Sequence, residues 1–253
     1  MMQKNNLNLF PKRWVLVRGL IRSKFHWGDF AEKFKISTNS ESVECVELAG
    51  NGYLNHESTP ERIEDAILQF KNQINPIIAP VGIIGISLGG MLAAKWAELY
   101  PNDVSHLVLI NTSSNLSPFH ARLRPQHYAS IITNLALKDP AEMEKFILGA
   151  TSNEKEKWLV ILKDCIEFQK EHPVTLTNFI KQLKLTSQVD FGNIAHCKKL
   201  ILASQKDRLV NYKCSEIIAE AIGSPIRYHP SAGHDLPLDD AAWVIEQISQ
   251  QLS

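Results

Sequence analysis

Six short runs of β-branched and other apolar residues recur along the 253-residue chain, and segments of helical period lie between most of them. The runs are Trp14–Val17, Val43–Leu48, Val81–Ile86, His106–Ile110, Leu200–Ala203 and Ile226–Tyr228. Continuous apolar strands that alternate with helices indicate a parallel sheet covered on both faces. Right-handed crossovers wind such a sheet into an open layered structure. The sequence therefore predicts an α/β fold with a mostly parallel sheet flanked by helices.

The alternation stops between Asn111 and about Asp190. This interval holds no convincing strand, but it holds three helix-prone stretches, Pro140–Leu148, Glu154–Phe168 and Thr175–Leu185. A segment of this length is too long for one structureless loop. The segment leaves the sheet after one strand and returns before another, at the edge where open α/β sheets bind ligands. We therefore predict an α/β core formed by residues 1–115 and 190–253, with a helical cap inserted at residues 116–189.

Composition excludes several classes of protein. Lys and Arg number 27, as do Asp and Glu, so the chain lacks the broad positive charge that attracts nucleic acids or membrane surfaces. The sequence shows no run of about 18 apolar residues, the length that a membrane-spanning helix needs. Its polar start lacks the apolar stretch of a signal peptide. The four cysteines are scattered and predict buried free thiols. These features predict a cytoplasmic monomer or homodimer that acts on a small molecule.

A single serine stands at the boundary between a strand pattern and a helix pattern. Val81–Ile86 predicts a buried strand, and Gly90–Tyr100 predicts a helix that Pro101 stops. Between them, Gly85-Ile86-Ser87-Leu88-Gly89 fits the spacing G-x-S-x-G. A strand that turns directly into a helix strains the turning residue, and flanking glycines remove the Cβ atoms that would collide there. The pattern predicts that the Ser87 hydroxyl is exposed at the carboxyl edge of the sheet.

The helix after this turn has a second chemical property. Its first N–H groups have no partners within the helix and carry partial positive charge. They can therefore stabilise an oxyanion beside Ser87, and Leu88 is the first candidate donor.

These features resemble the nucleophile elbow of the α/β-hydrolase family. The resemblance covers nearly the whole chain, including the strand order around Ser87 and the helical insertion after the strand that follows it. It implies an α/β-hydrolase fold with an inserted cap and a catalytic serine. It also implies a base and an acid later in the chain, in the order Ser, Asp or Glu, His.

A serine hydroxyl needs a base to accept its proton, and His234 is our candidate among nine histidines. It lies in "YHPSAGHDLP", in a Gly-containing loop between the last predicted strand and the final helix at Ala241–Ile248. The family places its histidine in such a loop, often as Gly-His. His229 is the nearest rival, but its position at the end of the strand favours a packed or hydrogen-bonded role.

The carboxylate that orients the base is predicted to be Asp207 in "LILASQKDRLV". It follows a strongly apolar strand and precedes a helix, which is where the resemblance places the acid. Some relatives carry the acid after the strand before the cap, but "LINTSSNLS" at that point offers no carboxylate. Asp235 adjoins the histidine and would point elsewhere. Asp239 and Asp240 are predicted to begin the final helix, where negative charge complements the helix dipole.

The resemblance also implies a second oxyanion donor in the loop after the first strand. Arg18-Gly19 stands where the family commonly has His-Gly, so the donor is the N–H of Leu20. A second departure is "ELAGNG", with Ala49 where the family has proline, which indicates a divergent member. Arg22 and Trp27 in the same loop are weaker candidates for substrate contact. With Lys24, Arg122 and Arg124, Arg22 could form a positive rim for an acidic carrier or a carboxylate-bearing acyl chain.

The implied reaction is hydrolysis of a carboxylic ester or thioester through an acyl-enzyme. Ser87 attacks, His234 moves the proton, Asp207 orients the imidazole, and no metal or organic cofactor is needed. The substrate would be a small or acyl-chain ester, free or carrier-bound. The chain is similar to the small capped carboxylesterases that demethylate pimeloyl-carrier esters in biotin synthesis. Two alternatives stay open: a cofactor-free lyase or carbon–carbon bond hydrolase that uses the same triad, and a non-catalytic small-ligand receptor of the same fold.

Overall fold

The computed structural model describes residues 10–74, 80–137, 139–192, 194 and 196–252, with the side chains of residues 135–137 excepted. The first nine residues of the predicted core, which begin the polar N-terminal stretch, therefore lie outside the described residues. No described helix combines the length and the apolar character that crossing a membrane would require.

The centre of the fold is a six-stranded sheet in the order β2-β1-β3-β4-β5-β6, and each neighbouring pair is parallel. The strands are β1 (Arg13–Val17), β2 (Ser42–Val46), β3 (Val81–Ile86), β4 (Val104–Ile110), β5 (Lys198–Ser204) and β6 (Ile226–His229). In the register of the central pair, Ile84 lies opposite Val108. The predicted parallel α/β architecture is confirmed.

Helices cover both faces of this sheet because the central strands are apolar on both sides. On β3, Ile83 belongs to one buried cluster and its neighbour Ile84 to the other. The first cluster packs under α2 (Ile63–Gln73), α3 (Leu88–Leu99) and α9 (Lys213–Ile222), and the second under α1 (Phe30–Thr38) and α11 (Ala241–Leu252). Each fully buried Ile, Leu or Phe contributes about 1.5–3 kcal/mol.

The interval between β4 and β5 is helical in its described part. It holds α4 (Phe119–Arg122), a 3-10 turn (Pro125–His127), α5 (Tyr128–Leu137), α6 (Pro140–Thr151), α7 (Lys155–Glu171) and α8 (Leu176–Ser187). Asp139 caps α6 by accepting from the N–H groups of Ala141 and Glu142, and Thr175 caps α8 by accepting from that of Asn178. The last short helix is α10 (Leu236–Asp239).

The inserted helices contact the loop that follows β1. Ile131, Met143, Ile147 and Phe179 form a third buried cluster, against which Leu20 and Ile21 pack. The insertion therefore lies over the carboxyl end of the sheet, where the predicted site residues are. We retain the division into a core and a cap at residues 116–189 as a proposal.

Candidate active site

Ser87 lies at the turn between β3 and α3 in a conformation that few non-glycine residues adopt, with φ 57° and ψ −124°. Its backbone N–H donates to the Ile110 carbonyl of β4 at 2.9 Å, which fixes the turn to the sheet. A Cβ at Gly85 would collide with the Gly89 carbonyl, and one at Gly89 with the Val17 carbonyl. Both glycines are therefore required by the close passage of the chain around Ser87.

His234 and Asp207 are brought together by two loops at the same edge. His234 Nδ1 lies 2.7 Å from Asp207 Oδ2, and both residues are buried. The other carboxylate oxygen, Oδ1, accepts from the N–H groups of Leu209 at 2.7 Å and Val210 at 2.9 Å. Because Oδ1 is engaged by its own loop, Oδ2 is held toward the imidazole.

Ser87 and His234 line one cavity of about 80 Å³. Within the part of the chain that the structure describes, the Ser87 hydroxyl is not hydrogen-bonded to His234. In ligand-free sites this bond is commonly long and shortens when substrate binds. The rest of the wall is mostly apolar and comes from the core and the insertion; it includes Leu20, Ile86, Ile131, Phe146, Phe179 and Leu209.

A second cavity of about 60 Å³ also reaches Ser87. Leu20 and Leu88 both line it, and Arg122 lies in its wall. Arg122 donates to the Thr186 carbonyl at 2.6 Å, so this guanidinium is held by the insertion. Ser87 therefore lines two neighbouring cavities, which share Leu20, Leu123 and Leu209 in their walls.

The two predicted oxyanion donors both lie beside Ser87. Leu88 is the first residue of α3, so its N–H has no partner inside the helix. Leu20 follows Gly19, where an added Cβ would lie 3.0 Å from Ser87 Cβ. Among the described groups, no acceptor is recorded for the N–H of Leu20 or Leu88. Two uncommitted N–H groups therefore stand near the serine hydroxyl.

Arg18, which replaces the expected histidine, forms a buried ion pair with Asp235 next to the candidate base. Its Nη1 and Nη2 donate to the two carboxylate oxygens at 3.1 and 2.5 Å. Burial opposes ionisation of Asp235, yet the attraction of Arg18 is strong enough to lower the carboxyl pKa. This pair ties the loop after β1 to the loop that carries His234, a role that adjacency in the sequence did not reveal.

Arg22 lines the first cavity beside Ser87 but is not part of an exposed rim. It is buried, and its Nη1 donates to both carboxylate oxygens of Glu144 on α6, at 2.9 and 2.8 Å. The predicted positive rim therefore lacks Arg22. The Trp27 indole lies in a separate cavity and packs on Phe30, with ring centroids 5.3 Å apart. The structure does not place Trp27 in the wall around Ser87.

Asn111, at the end of β4, is a site residue that the sequence did not identify. Its Oδ1 accepts from the Ser204 N–H at 2.7 Å, and its Nδ2 donates to the His234 carbonyl at 2.8 Å. Its φ of 47° lies in the left-handed region, which asparagine adopts more readily than most residues. This amide joins the ends of β4 and β5 to the loop that carries His234.

The neighbouring rivals have structural roles. His229 Nδ1 accepts from the Ala232 N–H at 2.9 Å, as expected for a hydrogen-bonded histidine at the end of a strand. Asp240 accepts from the Trp243 N–H at 3.0 Å and begins α11 as predicted. Asp239 does not: its buried carboxylate accepts from Ser152 Oγ at 2.5 Å and from the Gly233 N–H at 2.6 Å. The prediction for Asp239 was wrong because this residue ends α10, where its carboxylate binds the loop before α10 and the junction of α6 with α7.

One group of potential metal ligands occurs among the described residues, formed by His26, Glu144 and Cys165 within 4.8 Å of one another. Arg22 Nη1 lies 3.1 Å from His26 Nε2 and contacts the Glu144 carboxylate, so a protein cation already occupies the space between them. Burial raises the pKa of the Cys165 thiol to about 11. The thiolate that a metal would need is therefore disfavoured.

Comparisons with known proteins agree with this architecture. A carbamate hydrolase relative from Klebsiella pneumoniae, named "Putative carbamate hydrolase RutD", is 27% identical over 172 residues, which are 65% of this chain and 62% of that protein. The match thus spans less than two thirds of the relative. The enol-lactonase of Burkholderia xenovorans superposes with a TM-score of 0.75 at 16% identity, covering 96% of this chain and 92% of the enzyme.

The esterase RhEst1 from a Rhodococcus species gives a TM-score of 0.71 at 15% identity, covering 95% of this chain and 91% of the esterase. At these identities the two superpositions establish the fold alone. The family assignment depends on a sequence model that matches residues 14–247, a span that includes β2 to β6 and all of β1 except its first residue. The chain belongs to the alpha/beta hydrolase family.

Proposed function

We propose that the protein is a serine hydrolase that cleaves small carboxylic esters or thioesters through an acyl-enzyme. The observation that carries this proposal is the 2.7 Å contact between buried His234 and Asp207 at the cavity that also holds Ser87. An alcohol at a strained turn, an imidazole and a buried carboxylate form the set that activates a hydroxyl nucleophile.

In the proposed reaction, Ser87 Oγ attacks the substrate carbonyl carbon while His234 Nε2 accepts the hydroxyl proton. Asp207 accepts the Nδ1–H of His234 and stabilises the imidazolium that forms. The negative charge moves to the carbonyl oxygen, where the N–H groups of Leu20 and Leu88 stabilise it. Collapse of this intermediate expels the alcohol or thiol, which takes the proton from His234. Water then attacks the acyl-enzyme by the same steps and restores Ser87.

The two cavities at Ser87 favour short substrates. The two cavities, of about 80 and 60 Å³, each have room for several water-sized groups, since one water needs about 10–15 Å³, and they therefore favour small groups around the carbonyl carbon. Their walls are mostly apolar, and the buried arginines Arg18 and Arg22 are already paired with carboxylates. These features support short acyl groups over long ones. Both arginines in the wall of the first cavity are engaged by carboxylates, whereas Arg122 of the predicted positive rim lies in the wall of the second cavity.

Labelling with a fluorophosphonate tests the serine chemistry directly. We expect the wild-type protein to be phosphonylated at Ser87, identified by peptide mass spectrometry, and Ser87→Ala to lose labelling and several orders of magnitude of hydrolysis rate. Absence of wild-type labelling would favour the non-catalytic receptor. Labelling without turnover of any ester or thioester would favour the lyase or carbon–carbon hydrolase reading.

A substrate panel then tests the proposed class. It comprises p-nitrophenyl acetate, butyrate, octanoate and dodecanoate, the matching acyl thioesters, and one p-nitrophenyl carbamate because of the likeness to RutD. We expect kcat/KM to be greatest for the acetate or butyrate and to fall with chain length. A maximum at the dodecanoate would reject the size argument, and a carbamate hydrolysed faster than every ester would move the assignment to carbamates.

A further inference from the structure

The loop that carries the proposed donor Leu20 contains a strained turn. Residues Gly19 to Arg22 form a turn closed by the Arg22 N–H, which donates to the Gly19 carbonyl at 3.2 Å. The third residue, Ile21, has φ 51°. Turns with a positive φ at this position normally use glycine, and a β-branched residue there is a marked outlier. Such a conformation persists only where the surroundings hold it.

A ring of side-chain hydrogen bonds holds this turn. Gln182 Oε1 accepts from the Ile21 N–H at 2.9 Å, and Gln182 Nε2 donates to Asn51 Oδ1 at 2.7 Å. Asn51 Nδ2 in turn donates to the Arg22 carbonyl at 3.2 Å. In each of the two amides the oxygen accepts one of these bonds and the NH₂ group donates another, so the three bonds run in one consistent direction. The ring therefore engages the backbone on both sides of the Ile21–Arg22 peptide.

Gln182 reaches this ring from α8 of the inserted helices, whereas Asn51 comes from the loop after β2. Both side chains are almost completely buried, at 0% and 1% exposure. Their hydrogen bonds are therefore shielded from water, and neither amide can be replaced by an apolar group without leaving a backbone partner unsatisfied. The ring is thus the polar contact through which α8 acts on the turn.

We infer that Gln182 is a positioning residue for the oxyanion site, acting through the Ile21–Arg22 turn on the N–H of Leu20. The inference rests on the proposed serine hydrolase function and extends it. On the other side of Leu20, Gly19 is held against Ser87, where an added Cβ would lie 3.0 Å from Ser87 Cβ. Leu20 is thereby fixed between the nucleophile and the ring. The insertion thus completes the catalytic site as well as covering it.

The same helix offers a matched control. Asn178, one turn before Gln182, is also buried and also joins α8 to the core. Its Oδ1 accepts from the Thr59 N–H at 3.0 Å, and its Nδ2 donates to the Glu57 carbonyl at 3.0 Å. These partners, like Asn51, lie in the connection between β2 and α2, but neither is hydrogen-bonded to the turn at Leu20. Asn178→Leu therefore loosens the attachment of α8 without removing a hydrogen bond of the ring.

The test compares Gln182→Met and Asn178→Leu, each close in shape to the residue it replaces. We expect Gln182→Met to lower kcat and the fluorophosphonate labelling rate by about 10- to 100-fold, with KM changed less than about twofold. Asn178→Leu should keep the wild-type labelling rate, even though its Tm falls by about as much as that of Gln182→Met. Asn51→Leu breaks the ring at its other amide and should reproduce the Gln182→Met kinetics, which keeps the test available if Gln182→Met does not fold.

The outcomes separate the inference from the proposed function. If Gln182→Met and Asn51→Leu are labelled at the wild-type rate, or if Asn178→Leu loses as much rate as Gln182→Met, the positioning role is wrong. If the wild-type protein itself is not labelled at Ser87, the proposed function fails before Gln182 is tested.

Discussion

At the scale of single residues, the carboxylate of Asp207 is held in one orientation by its surroundings. Two backbone N–H groups, from Leu209 and Val210, donate to Oδ1, and this leaves Oδ2 for His234. Because a carboxylate oxygen only accepts, this contact favours the tautomer with a proton on Nδ1, which is the one that the proposed mechanism requires of His234. The orientation of the candidate acid is thus set by its own loop.

Asp207→Asn tests this argument. Since the Leu209 and Val210 N–H groups require an acceptor, the new amide would direct its NH₂ group at His234 and stabilise the wrong tautomer. We expect kcat for p-nitrophenyl acetate to fall by about 10³- to 10⁴-fold, while circular dichroism shows an intact fold. A variant that retains wild-type kcat would exclude Asp207 as the orienting acid.

Glu47 gives a second residue-scale prediction, for stability against pH. Burial raises the pKa of its carboxyl from the ordinary 4.5 to about 7, although hydrogen bonds from Ser23 and Lys24 oppose the rise. Between these values the folded protein binds more protons than the unfolded chain, so the free energy of unfolding decreases as pH rises through that window. Deprotonation of Glu47 should cost on the order of 2–3 kcal/mol by pH 8.

The measurement compares urea unfolding at pH 5 and pH 8. Glu47→Gln should lose the pH-dependent contribution of this carboxyl to the free energy of unfolding. Its stability relative to wild type should therefore increase from pH 5 to pH 8. Glu57→Gln, at an exposed position, is the control and should differ from wild type equally at both pH values. A Glu47→Gln difference that is independent of pH would show that this carboxyl does not titrate in the window.

At the scale of elements, the hydrophobic pattern predicted a strand or helix best where the residues of that segment alone determine its structure. The predicted strand Val81–Ile86 has the observed bounds, and the helix predicted at Pro140–Leu148 is observed at Pro140–Thr151. The helix Phe30–Thr38 was not predicted, because its two buried residues, Phe30 and Phe34, give too weak a periodic signal. Packing on the sheet stabilises it instead.

The residues of the candidate site divide in the same way, into those that local sequence predicts and those that only packing brings together. The sequence predicts Ser87 from a contiguous strand, turn and helix, and it predicts Asp207 and His234 from their loops after strands together with the family resemblance. It could not identify Asn111 or Gln182, because they contact backbone groups of residues 93 or more positions away. Such contacts depend on how distant segments of the chain pack together, which no local pattern encodes.

The crossing of α3 over β1 gives the prediction at this scale. A Cβ at Gly89 would collide with the carbonyls of Val17 and Arg18, which are backbone atoms and cannot rotate away. Gly89→Ala should therefore lower the free energy of unfolding by about 1–3 kcal/mol or more. Gly149→Ala in α6, where nothing lies within 4 Å of the added Cβ, should instead stabilise by about 0.5–1 kcal/mol. Urea denaturation of both variants checks the contrast in sign.

At the scale of the whole molecule, buried polar contacts join the inserted helices to the α/β core at several separate places. Glu144 of α6 pairs with Arg22, and Asn178 of α8 accepts from the Thr59 N–H. Asp239 adds a third attachment, between the junction of α6 with α7 and the loop that carries His234. Because each contact is shielded from water, separating the insertion from the core would leave several buried groups unsatisfied. The two parts should therefore unfold as one cooperative unit.

Asp239→Ala tests this cooperativity, because the change leaves three donors without their acceptor: Ser152 Oγ and the N–H groups of Asn153 and Gly233. We expect the free energy of unfolding to fall by about 2–4 kcal/mol, with transitions followed by circular dichroism and tryptophan fluorescence still coincident. Asp164→Ala removes an exposed carboxylate of α7 and should change stability by less than about 0.5 kcal/mol. Hydrogen exchange provides the decisive observation: peptides from α6 and α7 should lose protection together with those from β4 and β5. If the insertion exchanges first while the sheet stays protected in the wild-type protein, the insertion is an independent unit and the argument from shared buried contacts is wrong.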